Sequence, residues 1–242
     1  MGQSITWFGL VWCALPVIIV TLLFYYWQGE IKEILIASGR MVLQLVAIGY
    51  ILVFLFDHPS NWIILCVLLL MMVIASWIAI RPVRHHQGFY FPAMIALAIS
   101  VLLHLSISIF LVIDTANWND PRLLIPLAGM YFANSMNTVS LAAERYHAEL
   151  HNNVAELTAR KAAFQAAMIP QINGLLAVGL VALPGMMTGQ ILSGVSPLIA
   201  VRYQILIMTM ILGSSGVAAA IMLWQLSSRE LNIVKKNLVD NL

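Results

Sequence analysis

Long apolar runs, separated by short polar segments, dominate the chain. Each run is close to the roughly 20 residues that an α-helix needs to cross the hydrocarbon core of a bilayer. The runs predict seven membrane-spanning helices, at residues 5–27, 38–56, 62–80, 90–113, 122–142, 162–183 and 198–225. The predicted fold class is an all-α integral membrane protein in which residues 1–242 form a single transmembrane domain.

The composition supports this prediction and limits the function. The chain is 62% hydrophobic and only 9% charged, whereas a soluble domain carries about 25% charged residues. The seven runs leave no room for a soluble catalytic domain, so we expect a transport subunit and not an enzyme. The net charge of +2 gives no indication of a nucleic-acid partner.

The basic residues predict the orientation of the helices. Cytoplasmic loops of membrane proteins are enriched in Lys and Arg. If the N-terminus lies outside, ten of the twelve basic residues fall on the cytoplasmic side, and only Arg122 and Arg202 fall outside. We therefore predict a multi-pass protein of the bacterial inner membrane with its N-terminus outside and its C-terminus inside.

Residues 179–197, with the sequence GLVALPGMMTGQILSGVSP, are apolar but rich in glycine and proline. They predict a short re-entrant or broken helix between the sixth and seventh spans. Gly185 and Gly189 form a GxxxG motif, which permits close packing against a neighbouring helix or a second copy of the chain. Met186 and Met187 offer thioether ligands to a soft metal, or they fill gaps in the core. Gln190 is the polar group that could meet a substrate there.

A second set of candidate residues consists of polar or helix-breaking positions inside the fourth, fifth and sixth spans. They are Ser100, His104, Asn134, Asn137, Thr138, Pro170, Gln171 and Asn173. Ser100, His104 and Ser108 share one helix face because they recur every four residues. These positions either line a translocation path or satisfy one another in helix packing. One imidazole does not define a metal site, so the metal ligands stay unknown.

Energy for transport is expected to come from another polypeptide. All ten carboxylates fall in loops, in the tail or at helix ends, where none can carry a coupling ion across the membrane. No G-x-x-x-x-G-K-[ST] motif occurs, so the chain has no phosphate-binding loop of its own. No cofactor is expected in this chain, and ATP would be bound by the partner.

The segment at 143–161 is the longest charged stretch between spans. Leu150, Val154 and Leu157 recur near helical spacing, which predicts an amphipathic helix inside the cell. The helix is either a solvated connector or the surface that couples the chain to an ATPase.

Three stretches resemble a known family: SGRMVLQLVAIGYIL, PLAGMYFANSMNTVSL and GLVALPGMMTGQILSGVSPLIAVRYQI. The chain is similar to bacterial iron-export ABC permeases, which are related to plant aluminium-resistance half-transporters. The resemblance implies a permease subunit that exports iron or another metal ion. It further implies pairing with a separate ATP-binding cassette subunit and with a second copy of the chain. The alternatives are a nucleotide-independent channel or secondary transporter, and a membrane regulatory subunit without a transport path.

Overall fold

The computed structural model describes residues 6–27, 29–57, 60–83, 88–115 and 117–240. Within these ranges the regular elements are all helical. The α-helices in chain order are α1 Trp7–Val11, α2 Ala14–Tyr26, α3 Ile31–Asp57, α4 Asn61–Ala79, α5 Tyr90–Ser106, α6 Pro121–His151, α7 Glu156–Ala177, α8 Gly185–Leu192 and α9 Pro197–Asp240. A short 3-10 helix covers Arg81–Val83, and a π-helix continues α5 over Ile107–Ile113.

Five helical segments in the described part of the chain are long and apolar enough to cross a membrane. They are Phe8–Tyr26, Ile31–Phe56, Asn61–Ala79, Tyr90–Ile113 and Pro197–Ser227. The prediction of an all-α, multi-pass membrane protein is therefore confirmed. Helices α6 and α7 are too polar to qualify by hydropathy, so the number seven and the orientation stay predictions. Ile5, where the first predicted span begins, lies outside the described residues.

The chain divides into two compact units, Met1–Pro59 and Ser60–Leu242. In the first unit α2 packs against α3. A break separates α1 from α2 because Pro16 has no N–H to donate to the carbonyl of Trp12. Helix α2 has no buried residues, and its large apolar side chains are exposed on all sides, as in a helix that faces lipid.

In the second unit α6 is the central helix and packs against α4, α5, α7 and α9. Its neighbours approach closely because alanines fill the contacts. The fully buried alanines include Ala93, Ala96, Ala128, Ala142, Ala143, Ala159, Ala163, Ala167, Ala218 and Ala219. Small residues at helix interfaces let backbones come together, which is how membrane helices gain packing energy.

The single amphipathic helix predicted for residues 143–161 is wrong. Helix α6 continues to His151, and α7 begins at Glu156. Between them Asn153 adopts a left-handed φ of 59°, which asparagine tolerates better than most residues. The predicted face is therefore divided: Leu150 and Val154 pack against the core, while Leu157, after the turn, is 54% exposed.

The sixth predicted span, 162–183, ends too late. Helix α7 ends at Ala177, and Gly179 turns the chain with a φ of +85°, which favours glycine. The short helix predicted within 179–197 is present as α8, which begins after Pro184. A left-handed Gly194 follows it and leads into α9.

Candidate functional site

A cavity of about 400 Å³ lies where the end of α7, the turn after it, α8 and α9 meet. The turn contributes Gly179, α8 contributes Met187, and α9 contributes Gln204, Met208 and Thr209. The volume lies within the range of about 300–1,000 Å³ that is typical of small-ligand sites. This cavity therefore lies between the glycine- and proline-rich segment 179–197 and the last long helix, α9.

The backbone around Gly179 builds one wall of the cavity. The N–H of Gly179 donates to the carbonyl of Ala182 at 2.9 Å, and the N–H of Ala182 donates to the carbonyl of Ala177 at 3.1 Å. These bonds close the turn and satisfy backbone groups that an interrupted helix would leave unpaired, which is a necessity at membrane depth. The Thr188 hydroxyl, at 3.1 Å from the Pro184 carbonyl, fixes the start of α8.

The lining is largely apolar, with a few groups that can bind a ligand. Gln204 is only 7% exposed, yet its side chain borders the cavity. Met187 and Met208 add two thioethers, which are soft ligands. The hydroxyl of Thr209 donates within its own helix, to the carbonyls of Ile205 and Leu206. An amide, a hydroxyl oxygen and two sulfurs in a partly open, largely apolar cavity suit a soft cation or a small polar solute.

The structure separates the residues predicted in segment 179–197. Met187 lines the cavity, whereas Met186 packs against the hydrophobic core. Gln190 lies outside the cavity wall, and its Oε1 atom is buried without a hydrogen-bond partner among the described residues. A Cβ atom added at Gly185 or at Gly189 would meet no atom within 4 Å. The two glycines therefore make no close helix contact within the described part of the chain.

The face of α5 that carries Ser100, His104 and Ser108 is buried against neighbouring helices. Ser100 is fully buried and donates its hydroxyl to the carbonyl of Ser214 on α9. The hydroxyl of Ser108 lies 2.7 Å from that of Tyr131 on α6. His104 is 8% exposed, and its Nδ1 lies 2.8 Å from the Ser100 carbonyl. Ser100 and Ser108 therefore link α5 to α9 and to α6.

Two of the candidates on α6 and α7 meet. Gln171 donates its side-chain N–H to the Thr138 hydroxyl at 3.0 Å, and that hydroxyl donates to the Asn134 carbonyl at 3.0 Å. Asn137 and Asn173 are exposed and line none of the cavities described. Helix α7 continues through Pro170, which is also exposed. The described residues bring no three His, Cys, Asp or Glu side chains together as a metal site.

Sequence reasoning missed the contribution of α9 to the cavity. Gln204, Met208 and Thr209 all lie inside the apolar span predicted at 198–225. The available signal was Gln204, a polar residue inside a predicted span, with Met208 one helical turn away on the same face.

The sequence is similar to several known membrane proteins. UPF0014 membrane protein slr1647 of Synechocystis is 37% identical over 204 residues, which are 77% of this chain and 79% of that protein. Protein ALUMINUM SENSITIVE 3 of Arabidopsis thaliana is 32% identical over 226 residues, covering 85% and 81%. Probable iron export permease protein FetB of Escherichia coli is 29% identical over 205 residues, covering 78% of each. No solved structure matches the chain.

The sequence pattern of the family described as Uncharacterised protein family (UPF0014) matches residues 7–231, nearly the whole chain. The resemblance to iron-export permeases and to plant aluminium-resistance proteins is thereby confirmed. The chain belongs to the UPF0014 family of membrane proteins.

Proposed function

We propose that the chain is the membrane permease subunit of an ABC-type transporter that exports iron or another metal ion. The name of FetB as a probable iron export permease supports the substrate class. The observation that carries the proposal is the cavity of about 400 Å³, which is lined by Met187, Met208 and Gln204. We place this cavity at the outer part of the translocation path.

The proposal includes a separate ATP-binding subunit and a second copy of the chain. The sequence has no phosphate-binding loop, so hydrolysis requires a partner. The exposed and uncrowded Gly185 and Gly189 are available to a second copy. Residues 143–161, where α6 turns into α7, are the proposed coupling segment, with Leu157 as its exposed apolar group.

The proposal also counts α6 and α7 as the fifth and sixth of seven spans. Polar residues lower their hydropathy, but apolarity is required only of surfaces that face lipid. Helix α6 is surrounded by α4, α5, α7 and α9, so neighbouring helices and not lipid cover much of its surface. With the basic residues inside, this gives an outer N-terminus and an inner C-terminus in a bacterial inner membrane.

The test is metal efflux from cells and from proteoliposomes that contain the chain with its ATP-binding partner. Met187→Leu removes one of the two cavity sulfurs and nearly conserves volume, so we expect slower transport with normal expression. Met186→Leu is the matched control, because Met186 packs against the core and should tolerate the same change. Gln204→Leu should also slow transport.

Each other outcome rejects a defined part of the proposal. Equal transport by the Met187→Leu and Met186→Leu variants would remove the thioether from the path. Transport by the chain alone, without ATP, would identify a channel or a secondary transporter. If no metal stimulates the partner's ATPase activity and no metal leaves the vesicles, the export function is wrong.

A further inference from the structure

A groove of about 510 Å³ lies between the first turns of α7 and the part of α9 that packs beside them. Arg160, Lys161 and Phe164 form one wall, and Ala220, Leu223 and Trp224 form the other. We propose that this groove binds an anionic phospholipid, with the headgroup phosphate on the two cations and an acyl chain along the apolar wall. The proposal requires only a membrane location and does not depend on the substrate that is transported.

No carboxylate that the structure describes forms an ion pair with the two cations of the groove. The side chains of Arg160 and Lys161 form no ion pair or hydrogen bond with any residue that the structure describes. The carboxylate one turn earlier, Glu156, accepts a hydrogen bond from the Ser227 hydroxyl on α9. Two adjacent cations between membrane helices attract an anion, and basic pockets of this kind bind the headgroups of anionic lipids.

The level of the groove in the bilayer favours a lipid as its ligand. The apolar stretch of α9 ends before the charged residues Arg229 and Glu230, so Trp224 lies near its end, close to the boundary between hydrocarbon and headgroups. Trp224 is 66% exposed, and tryptophan is enriched at this level of the bilayer. Phe164, one turn after Arg160, continues the apolar surface toward the membrane interior. A soluble anion would use the cations and leave this surface uncovered, whereas a phospholipid covers both.

The test uses the full-length chain purified in detergent, with native mass spectrometry to count the lipids retained. We expect the protein to retain phosphatidylglycerol in preference to phosphatidylcholine. Arg160→Gln combined with Lys161→Gln should weaken phosphatidylglycerol retention about twenty-five-fold, because each juxtamembrane cation contributes about fivefold. Arg202→Gln is the matched control, since this exposed arginine lies on α9 outside the groove.

A second measurement places the acyl chain and does not depend on the charge variants. Brominated phosphatidylglycerol should quench one component of tryptophan fluorescence that is missing in Trp224→Phe, and brominated phosphatidylcholine should quench that component less. Equal retention of the two lipids, or unchanged retention in the double variant, would overturn the proposal. It would also be overturned if the double variant lost an ATP-binding partner in lipid-free detergent while its lipid binding stayed intact, because the groove would then bind protein.

Discussion

His104 of α5 lies directly against Gly213 of α9. A Cβ atom at position 213 would overlap the Nε2 of His104 and lie 2.9 Å from its Cδ2. The other ring nitrogen, Nδ1, is held at 2.8 Å from the Ser100 carbonyl, so the ring cannot turn away without losing this contact. Next to this contact the Ser100 hydroxyl donates to the Ser214 carbonyl. Helices α5 and α9 can therefore approach this closely only because residue 213 has no side chain.

The first prediction concerns this contact. Gly213→Ala should destabilise the protein by about 1–3 kcal/mol, the usual cost of overpacking a well-filled core. Gly216→Ala is the matched control, because its Cβ would lie at an ordinary 3.6 Å from the Cε of Met168. Thermal unfolding of both variants in the same detergent measures the difference. Equal melting temperatures would show that α5 and α9 can move apart at no cost.

The second prediction is the orientation. In a variant without Cys13 and Cys66, a cysteine placed at Asn117 should react with an impermeant maleimide added to intact cells, and one at Asn152 should not. The physical reason is that the basic residues hold the turn between α6 and α7 on the cytoplasmic side. Permeabilised cells serve as the control, since both positions should then react. The reverse pattern in intact cells would invert the topology.

The third prediction separates pairing of two chains from folding of one. Gly185→Leu and Gly189→Leu should reduce the dimer, because a branched side chain prevents close helix approach. They should leave monomer stability nearly unchanged, since nothing lies within 4 Å of either Cβ position. Crosslinking and size measurements in lipid check this, with Gly49→Leu in α3 as the control, another site with open space. An unchanged dimer fraction would remove the two glycines from the interface.

The fourth prediction concerns coupling to the ATPase. Leu157→Asp should uncouple ATP hydrolysis from transport, because it places a charge on the exposed apolar group of the coupling segment. The fold should persist, since an acidic residue in the first turn of α7 interacts favourably with the helix dipole. Thr158→Asp adds the same charge to an exposed polar neighbour and should couple normally. Val154 is a poorer test site, because it packs against the core.

If the complex that contains the Leu157→Asp variant hydrolyses ATP and transports as the unmodified complex does, the partner docks on another surface. If Thr158→Asp is equally impaired, the effect is one of charge in this turn and not of the leucine contact.

Features that depend on the bilayer as solvent could be predicted from the sequence. Apolar length locates α4 and the combined span of α5 and the π-helix within a residue, because a bilayer imposes that length whatever the neighbours are. The short helix α8 was also predictable, since Pro184 and Gly194 define its ends by local backbone chemistry.

Features that depend on packing against other helices could not be predicted from the sequence. The continuation of α6 to His151 and the turn at Asn153 are decided by packing of Leu150 and Val154 on the core, which overrides the helical spacing of the segment. For the same reason Met186 and Met187, adjacent in the sequence, have different environments that only the position of α9 distinguishes.

The π-helix at Ile107–Ile113 lets this span lose one residue without losing its buried face. Its wider turn accommodates one extra residue, so that Ile113 reaches the core while Val112 stays 51% exposed. In an α-helix the buried face that includes Leu105 and Ser108 would continue at position 112, which lies seven and four residues later. Loss of one residue between Ser108 and Ile113 would therefore convert the segment to an α-helix and keep the same isoleucine inward. Elsewhere in α5 a deletion would turn every later side chain by about 100°.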